Sequence, residues 1–371
     1  MSTGPVRSTA LVLFGPDRLE VREVRVADPG PGEIRVRVAA AGVCHSDLNV
    51  YDRGGTGMVL PTVLGHEAAG VVEDVGAGAT GVAPGDHVIL CVVPQCGRCR
   101  YCAGGQPTLC DDGITAFGGT LTDGGTRVTL DGADVHQAAG VGAWSDHVVV
   151  PATAAVKVPA DIPLAPAALL GCGVVTGYGA AANVARVGPD DQVAVIGCGG
   201  VGLSAVQAAR IGGARQIIAV DTMPGKLEHA RRLGATHTVD ASAGADVVAE
   251  VRELTGGAGV DAALDFVGTP GVARQALSMT RRGGQVVFTG LGAPEWTLPV
   301  GELVGQGKVL RGNLLGMGSF TADFARLVDL YRSGALLLDE MISRSIGLAD
   351  VPSAFAAMRA GTENRSVITF G

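Results

Sequence analysis

Between Val193 and Ile196 the chain is apolar without a break, and glycines follow at 197, 199, 200 and 202. A short apolar run bounded by turn residues suits a strand buried on both faces of a parallel sheet. Further strands are predicted at "THTVDA", "VDAALDFVG", "GQVVFTGLG" and "VLRGNLLG", separated mostly by helical stretches such as "PGKLEHARRLG". Strand and helix in alternation predict an α/β region with a doubly wound parallel sheet of six strands, over about residues 173–314. The start of the chain reads differently. "LEVREVRVADP" and "GEIRVRVAAAG" interleave apolar and charged residues, as half-exposed strands do. Residues 1–172 therefore predict a strand-rich domain, interrupted by the α/β region and completed by 315–371. The chain has no repeat of solenoid length and no low-complexity tail.

Composition narrows the functional classes. The 371 residues exceed what one hydrophobic core usually serves. With 47% hydrophobic and 17% charged residues, the chain is globular rather than disordered. A net charge of −8 argues against nucleic acid as a partner. The apolar run near the N-terminus, Ala10–Phe14, is too short for a signal-peptide core or a membrane span. A cytoplasmic protein with no membrane partner is the expectation.

Eight cysteines in a chain of this kind favour metal or catalytic roles over disulfides. Four of them, Cys96, Cys99, Cys102 and Cys110, fall in the stretch 94–110 with the spacing C-x2-C-x2-C-x7-C. Four soft ligands in one loop can close a tetrahedron around zinc. Gly97, Gly104 and Gly105 permit the tight turns. Reduced core cysteines would sit in an alternating apolar pattern, which Arg98, Arg100, Gln106 and Pro107 break. A disulfide pair or a redox role is the alternative. A closed four-thiolate site leaves no position for a substrate, so it reads as structural. A second set is dispersed: Cys44 in "GVCHSD", His66 and Glu67 in "LGHEAAG", Cys172 in "LLGCGVVTGYG". Two thiolates and one imidazole leave the fourth position of zinc free for water or an alcohol oxygen. Singly, a Cys reads as core and a His as a satisfied polar group; the three together carry the weight.

The α/β region carries its own chemistry. Gly197, Gly199 and Gly202 form G-x-G-x-x-G between a strand and a helix, and Asp221 ends the next strand, 19 residues beyond Gly202. That combination is the dinucleotide fingerprint. The helix N-terminus faces the pyrophosphate. Asp221 would accept from the adenosine ribose hydroxyls and repel a 2′-phosphate, which favours NAD over NADP.

Together "GVCHSD", "GHEAAGVVEDVG", "PGDHV", the four-cysteine lobe, "GCGVVTGYGAA", "GCGGVG" and "NRSVITF" span almost the whole chain. In this order they resemble the zinc-dependent medium-chain alcohol dehydrogenases. The resemblance implies a GroES-like catalytic domain, catalytic zinc on Cys44, His66 and Cys172, and structural zinc on the four-cysteine lobe. It places His45 and Arg365 near the pyrophosphate and Lys226 near the adenosine ribose. The fingerprint stretch Gly197–Gly202 lies along the cofactor, and Thr176, Val201, Val267 and Leu291 line its nicotinamide side. The residues from Asp111 to Trp144 resemble the longer loop of the animal and class III branch, which implies a homodimer.

The implied reaction is reversible hydride transfer between a small alcohol and NAD. Ser46 stands where the family has the hydroxyl that relays the alcohol proton. Glu67 is placed behind the metal, and Asp47 where a carboxylate orients the zinc-bound histidine. The relay departs from the family pattern at its end, where Asn49 replaces a histidine. A neutral amide cannot be the base, which leaves water, Asp47 or His45. Val92 replaces a pocket-narrowing Phe, while Trp144 and Leu314 match other pocket positions. This predicts medium-chain, branched or aromatic primary alcohols as substrates. A thiol-adduct formaldehyde dehydrogenase is disfavoured: "RGGTGMV" lacks the acids and "CDDGITAFG" the arginine of that type. A polyol dehydrogenase would commonly carry Glu in place of Cys172. A nicotinoprotein with permanently bound NAD and an external acceptor would use the same residues. A non-enzymatic NAD-binding sensor is the reading outside enzymology, and the intact ligand set speaks against it.

Overall fold

The computed structural model describes residues 4–242 and 244–371. The chain forms two compact units. The first comprises Met1–Cys172, Ser319–Leu330 and Leu338–Gly371, the second Gly173–Gly318 and Tyr331–Leu337. The first crossover falls where the sequence places it. The return comes after Gly318 rather than Leu314, for a local reason. Asn183 Nδ2 donates to the Gly316 carbonyl at 3.0 Å, which ties this turn to the second unit. Tyr331–Leu337 joins that unit because the Leu337 N–H donates to Gln207 Oε1 at 2.8 Å.

The first unit is strand-rich, as the interleaved pattern requires. A closed barrel runs through Val6–Gly15, Arg18–Val26, Val128–Leu130, Ala133–Gln137 and Thr62–Val63. Beside it, a seven-stranded sheet is centred on Glu33–Gly42, which pairs antiparallel with both Ala68–Val75 and His147–Pro151. Val36, Val38, Ala40 and Ala41 on the central strand are buried. The same strand ends two residues before Cys44, so the core of this sheet fixes where that ligand emerges.

The second unit is a six-stranded, all-parallel sheet. Its order is His237–Asp240, Gln216–Asp221, Gln192–Ile196, Val260–Asp265, Thr280–Phe288, Val309–Gly312. In sequence terms that is 3-2-1-4-5-6, the Rossmann arrangement. Val193, Ala194 and Val195 are fully buried, as an unbroken apolar run on a central strand should be. No single described helix is long and apolar enough to cross a membrane.

Helix Gly173–Gly179 packs so closely on helix Gly200–Ile211 that one residue must lack a side chain. A Cβ on Gly177 would lie 2.0 Å from the Val201 carbonyl oxygen and 2.7 Å from Ser204 Cβ. Gly177→Ala should therefore destabilise the Rossmann unit by about 2–3 kcal/mol. In thermal melting that is a loss of roughly 5 °C or more. Gly301→Ala, where a Cβ meets nothing within 4 Å, is the matched control and should leave the melting temperature nearly unchanged.

Candidate active site and cofactor site

Three segments of the first unit converge on one point. The central strand delivers Cys44, which caps helix His45–Asp52 with an extended backbone. His66 and Glu67 precede strand Ala68–Val75, held by the Gly42 N–H donating to the Glu67 carbonyl at 2.9 Å. Cys172 follows the buried turn Leu169–Gly171. A Cβ on Gly171 would sit 2.7 Å from the Leu90 carbonyl oxygen and 3.5 Å from Glu67 Cα, so only glycine lets the turn come this close. The ligand atoms of Cys44, His66, Glu67 and Cys172 all lie within 4.8 Å of one another.

Asp47 sets the geometry. Its Oδ2 accepts from the Cys44 N–H at 3.1 Å, and its Oδ1 accepts from the Gly65 N–H at 3.2 Å. His66 Nδ1 lies 3.1 Å from Oδ1. A carboxylate only accepts, so the Nδ1 proton faces Asp47 and Nε2 is left for the metal. Ser46 donates to Cys44 Sγ at 3.0 Å and lies 3.4 Å from His66 Nε2. Burial pulls the His66 pKa down, but the charge and hydrogen bond of Asp47, aided by Cys44, outweigh it and raise it to about 10. The Cys44 thiol is held well below its usual value by a hydrogen bond from Cys172, against burial, with help from His66 and Arg365. A buried thiolate beside an imidazolium fits a divalent cation that would take the place of the imidazolium proton.

The second cluster is local. The four sulfurs of Cys96, Cys99, Cys102 and Cys110 also lie within 4.8 Å of one another. None of the eight cysteines forms a disulfide. Backbone N–H groups of Cys96, Cys99 and Cys102 donate to the sulfurs of Cys110, Cys96 and Cys99, each at 3.4 Å. Gly97 and Gly105 hold φ of +73° and +78°, the left-handed turns this wrapping needs. The Cys102 and Asp111 N–H groups lower Cys99 to about 6, while burial pushes Cys102 up to about 12. Crowded thiols ionise at each other's expense, and a divalent cation removes that conflict.

In the Rossmann unit Gly197 has φ +90°. A Cβ on Gly202 would lie 1.9 Å from the Gly197 carbonyl oxygen, while one on Gly199 would meet nothing within 4 Å. The first pair makes the tight strand-to-helix turn; Gly199 leaves an open approach for phosphate. Asp221 accepts from the Cys198 N–H at 2.7 Å and the Met223 N–H at 2.9 Å, so its carboxylate is held at the strand end beside the loop. Gly200, Val201, Lys226, Val267 and Leu314 are half-buried. Leu291 is 82% exposed, an apolar surface that a cofactor would cover. The buried Thr176 Oγ1 and Asn313 Oδ1 have no partner among the described residues. These features fit a dinucleotide.

Two family models match the chain. The alcohol dehydrogenase GroES-like domain covers residues 30–160, and the zinc-binding dehydrogenase domain covers residues 200–333. The putative alcohol dehydrogenase D of Mycobacterium tuberculosis is 40% identical over 98% of this chain and 100% of its own length. The chain belongs to the zinc-binding alcohol dehydrogenase family. It is therefore an NAD-dependent oxidoreductase with zinc and NAD as cofactors. The NDMA-dependent alcohol dehydrogenase of Amycolatopsis methanolica is also 40% identical, over 98% of this chain and 99% of that one. Among solved structures, benzyl alcohol dehydrogenase from Acinetobacter calcoaceticus superposes with a TM-score of 0.92 at 31% identity, covering 99% and 100% of the two chains.

The structure gives several family-implied positions definite surroundings. Arg365, expected at the pyrophosphate, is buried and gives its guanidinium to the fully buried Glu67. A buried carboxylate needs a cation, and Arg365 is the one supplied. Glu67, expected behind the metal, has a carboxylate oxygen among the ligand atoms themselves. Trp144, expected to line a substrate pocket, is 0% exposed. Its indole N–H donates to the Gly42 carbonyl at 3.2 Å, and its ring packs on Phe355. A Cβ on Gly65 would lie 2.3 Å from the ring, so Trp144 is a core support beneath the His66 segment. Val92 is likewise buried, at 1% exposure. His45, Ser46 and Asn49 are exposed on helix His45–Asp52.

Sequence reasoning missed Asp265. It is fully buried at the end of its strand, and its Oδ1 accepts from the Val267 and Gly268 N–H groups at 2.8 and 2.9 Å. Burial raises its pKa. The available signal was the second of two acids in "VDAALDFVG", set between the apolar Leu264 and Phe266.

With its pKa raised to about 10, above the usual 6.5 of histidine, the metal-free His66 is protonated at neutral pH. Its ion pairing stabilises the metal-free fold fully below pH 6.5, and the effect is lost as pH rises through 10. Zinc added to metal-free protein at pH 7.5 must expel that proton. Calorimetry in buffers of different ionisation enthalpy should show proton release, reduced by about one in His66→Gln. A heat independent of buffer would refute this assignment.

Proposed function

We propose that the protein oxidises a primary alcohol, medium-chain, branched or aromatic, to the aldehyde with NAD, and that the reaction is reversible. The observation that carries the reading is the Cys44–His66–Cys172 cluster with the Ser46 hydroxyl bonded to Cys44. Cys44, His66 and Cys172, two thiolates and an imidazole, would hold a catalytic zinc, beside the Glu67 carboxylate that Arg365 partners. Bound zinc supplies a Lewis acid for the alcohol oxygen, and bound NAD accepts the hydride. Asp47 holds His66 in the metal-binding tautomer. Ser46 Oγ takes the hydroxyl proton of the substrate and hands its own onward. The exposed Asn49 cannot accept it, so the proton passes to water.

The substrate class rests on the likeness to a benzyl alcohol dehydrogenase; the resemblance adds only that buried Val92 is smaller than the aromatic it implies at that position. kcat/KM should be at least about tenfold higher for benzyl alcohol or hexanol than for ethanol, in line with a few buried methylenes. A preference for ethanol would overturn the class. A second reading, in which NAD stays bound and an external acceptor reoxidises it, is supported by the 40% identity to the NDMA-dependent relative. Native mass spectrometry of protein purified without added NAD separates the two by the presence or absence of retained nucleotide.

We also propose a cytoplasmic homodimer. Among the described residues, strand Val309–Gly312 pairs on one side only, and Val309 is 42% exposed. Beside it in sequence, Val300 and Val304 on helix Val300–Gly305 are 67% and 73% exposed. An open strand edge next to apolar surface fits a two-fold copy of itself. Val300→Glu with Val304→Glu should shift the mass in light scattering from dimer to monomer. A monomeric wild type would refute the assembly.

A further inference from the structure

Beside the four-cysteine lobe lies a cleft that no step above uses. Its volume is about 480 Å³, within the range of small-molecule sites. Every residue that lines it belongs to the first unit. Three segments build its walls. The lobe contributes Gln95, Cys102 and Pro107, with Gly97 and Gly105 between them. The turn Ala152–Ala154 and the strand Ala155–Val158 contribute Thr153 and Val156. The third wall is the start of helix Phe320–Arg332, with Phe320 and Thr321.

The glycines explain why the space is open. Gly97 and Gly105 hold the positive φ that disfavours a side chain, and a Cβ on either would meet nothing within 4 Å. The turns that wrap the four sulfurs therefore leave two bare positions in the wall. The chemistry of the lining selects a ligand. None of the lining residues is Asp, Glu, Lys, Arg or His. An ion entering the cleft would lose hydration and gain no counter-charge. The helix start does not recruit an anion either, because Asp323, 5% exposed, occupies its first turn. Among the described residues, the Thr153 and Thr321 hydroxyls have no protein hydrogen-bond partner, and the buried Gln95 Nε2 has none. Pro107, Val156 and Phe320 supply apolar surface beside these polar groups. The matching ligand is neutral, exchanges hydrogen bonds through a hydroxyl, and has an apolar body. Primary alcohols have that chemistry.

We propose that this cleft is a second, non-catalytic site for a neutral alcohol, and that its occupant shields the four-cysteine lobe. The choice of an alcohol rests partly on the reading of the protein as an alcohol dehydrogenase. The probe is 4-fluorobenzyl alcohol, followed by fluorine NMR on the zinc-loaded protein. Two binding steps are expected, one at the catalytic site and one at the cleft. Thr153→Trp sets a large ring into the cleft from an exposed position. It should weaken the cleft step at least about tenfold and leave kcat/KM unchanged, in line with lost burial of a small ligand. Thr321→Val removes one hydroxyl at nearly constant shape. It should weaken the same step about fivefold, the worth of one hydrogen bond, and it decides the matter if Thr153→Trp does not fold. A second readout is alkylation of the lobe cysteines by iodoacetamide, followed by peptide mass spectrometry. With the alcohol at about four times the dissociation constant of the cleft step, alkylation should slow about fivefold, the factor 1 + [L]/Kd. Thr153→Trp should abolish that protection. A single binding step in the wild type, a cleft step indifferent to the substitutions, or alkylation indifferent to the alcohol overturns the proposal. A wild type that keeps the cleft step but oxidises no primary alcohol, with NAD or with an external acceptor, overturns the functional reading alone.

Discussion

The Asp47 carboxylate meets the Cys44 N–H, the Gly65 N–H and the His66 Nδ1 within 3.2 Å. Those groups belong to segments some twenty residues apart in the chain. One side chain therefore fixes the start of helix His45–Asp52, the approach of the His66 loop and the histidine tautomer together. The support extends below. Gly65 is pressed on the ring of Trp144, and Gly42, which accepts the Trp144 indole N–H, also donates to Glu67. A residue larger than glycine at 42 would strike Glu67, since its Cβ would lie 2.1 Å from Oε2. The ligand geometry is thus a consequence of close backbone approach, held in place by one buried acid and one buried ring.

The Rossmann unit solves a similar problem with different parts. Its glycines bring helix to strand, and two acids hold the loops: Asp221 for the fingerprint loop, Asp265 for the Val267 loop. Asp221 keeps lone pairs for a ribose because each oxygen is given one backbone donor in the bonds above. Asp265 is fully buried and is a framing group whose raised pKa reflects its removal from water.

Much of this was legible in the sequence because it is local. The four-cysteine lobe, the fingerprint glycines with Asp221, and the strand runs each occupy a short window with a spacing rule. The dispersed ligands Cys44, His66 and Cys172 were legible only through several motifs in a fixed order. What stayed hidden depends on long-range pairing. Nothing near Arg365 in sequence says that its partner is Glu67, 298 positions away. Trp144 reads as a pocket aromatic by alignment with relatives, yet its ring is enclosed by Gly65 and Phe355. Asn313 reads as an ordinary polar residue after a strand until its amide is seen to donate to the Thr176 carbonyl, 137 positions away.

The two thiol clusters differ in how much of the fold they require. The lobe closes a loop of fifteen residues, from Cys96 to Cys110. The catalytic set must bring Cys44 to Cys172 across 128 positions. Loop-closure entropy grows only slowly with length, so length alone separates the two by just under about 2 kcal/mol. The larger difference is that the lobe supplies its own second layer, through N–H groups one ligand away. The catalytic set borrows its second layer from Asp47, Arg365 and the central sheet. Metal at the lobe can therefore order its loop directly. A metal at the catalytic set would instead meet Cys44, His66 and Cys172 already assembled by the sheet, so its binding would add less order to the chain.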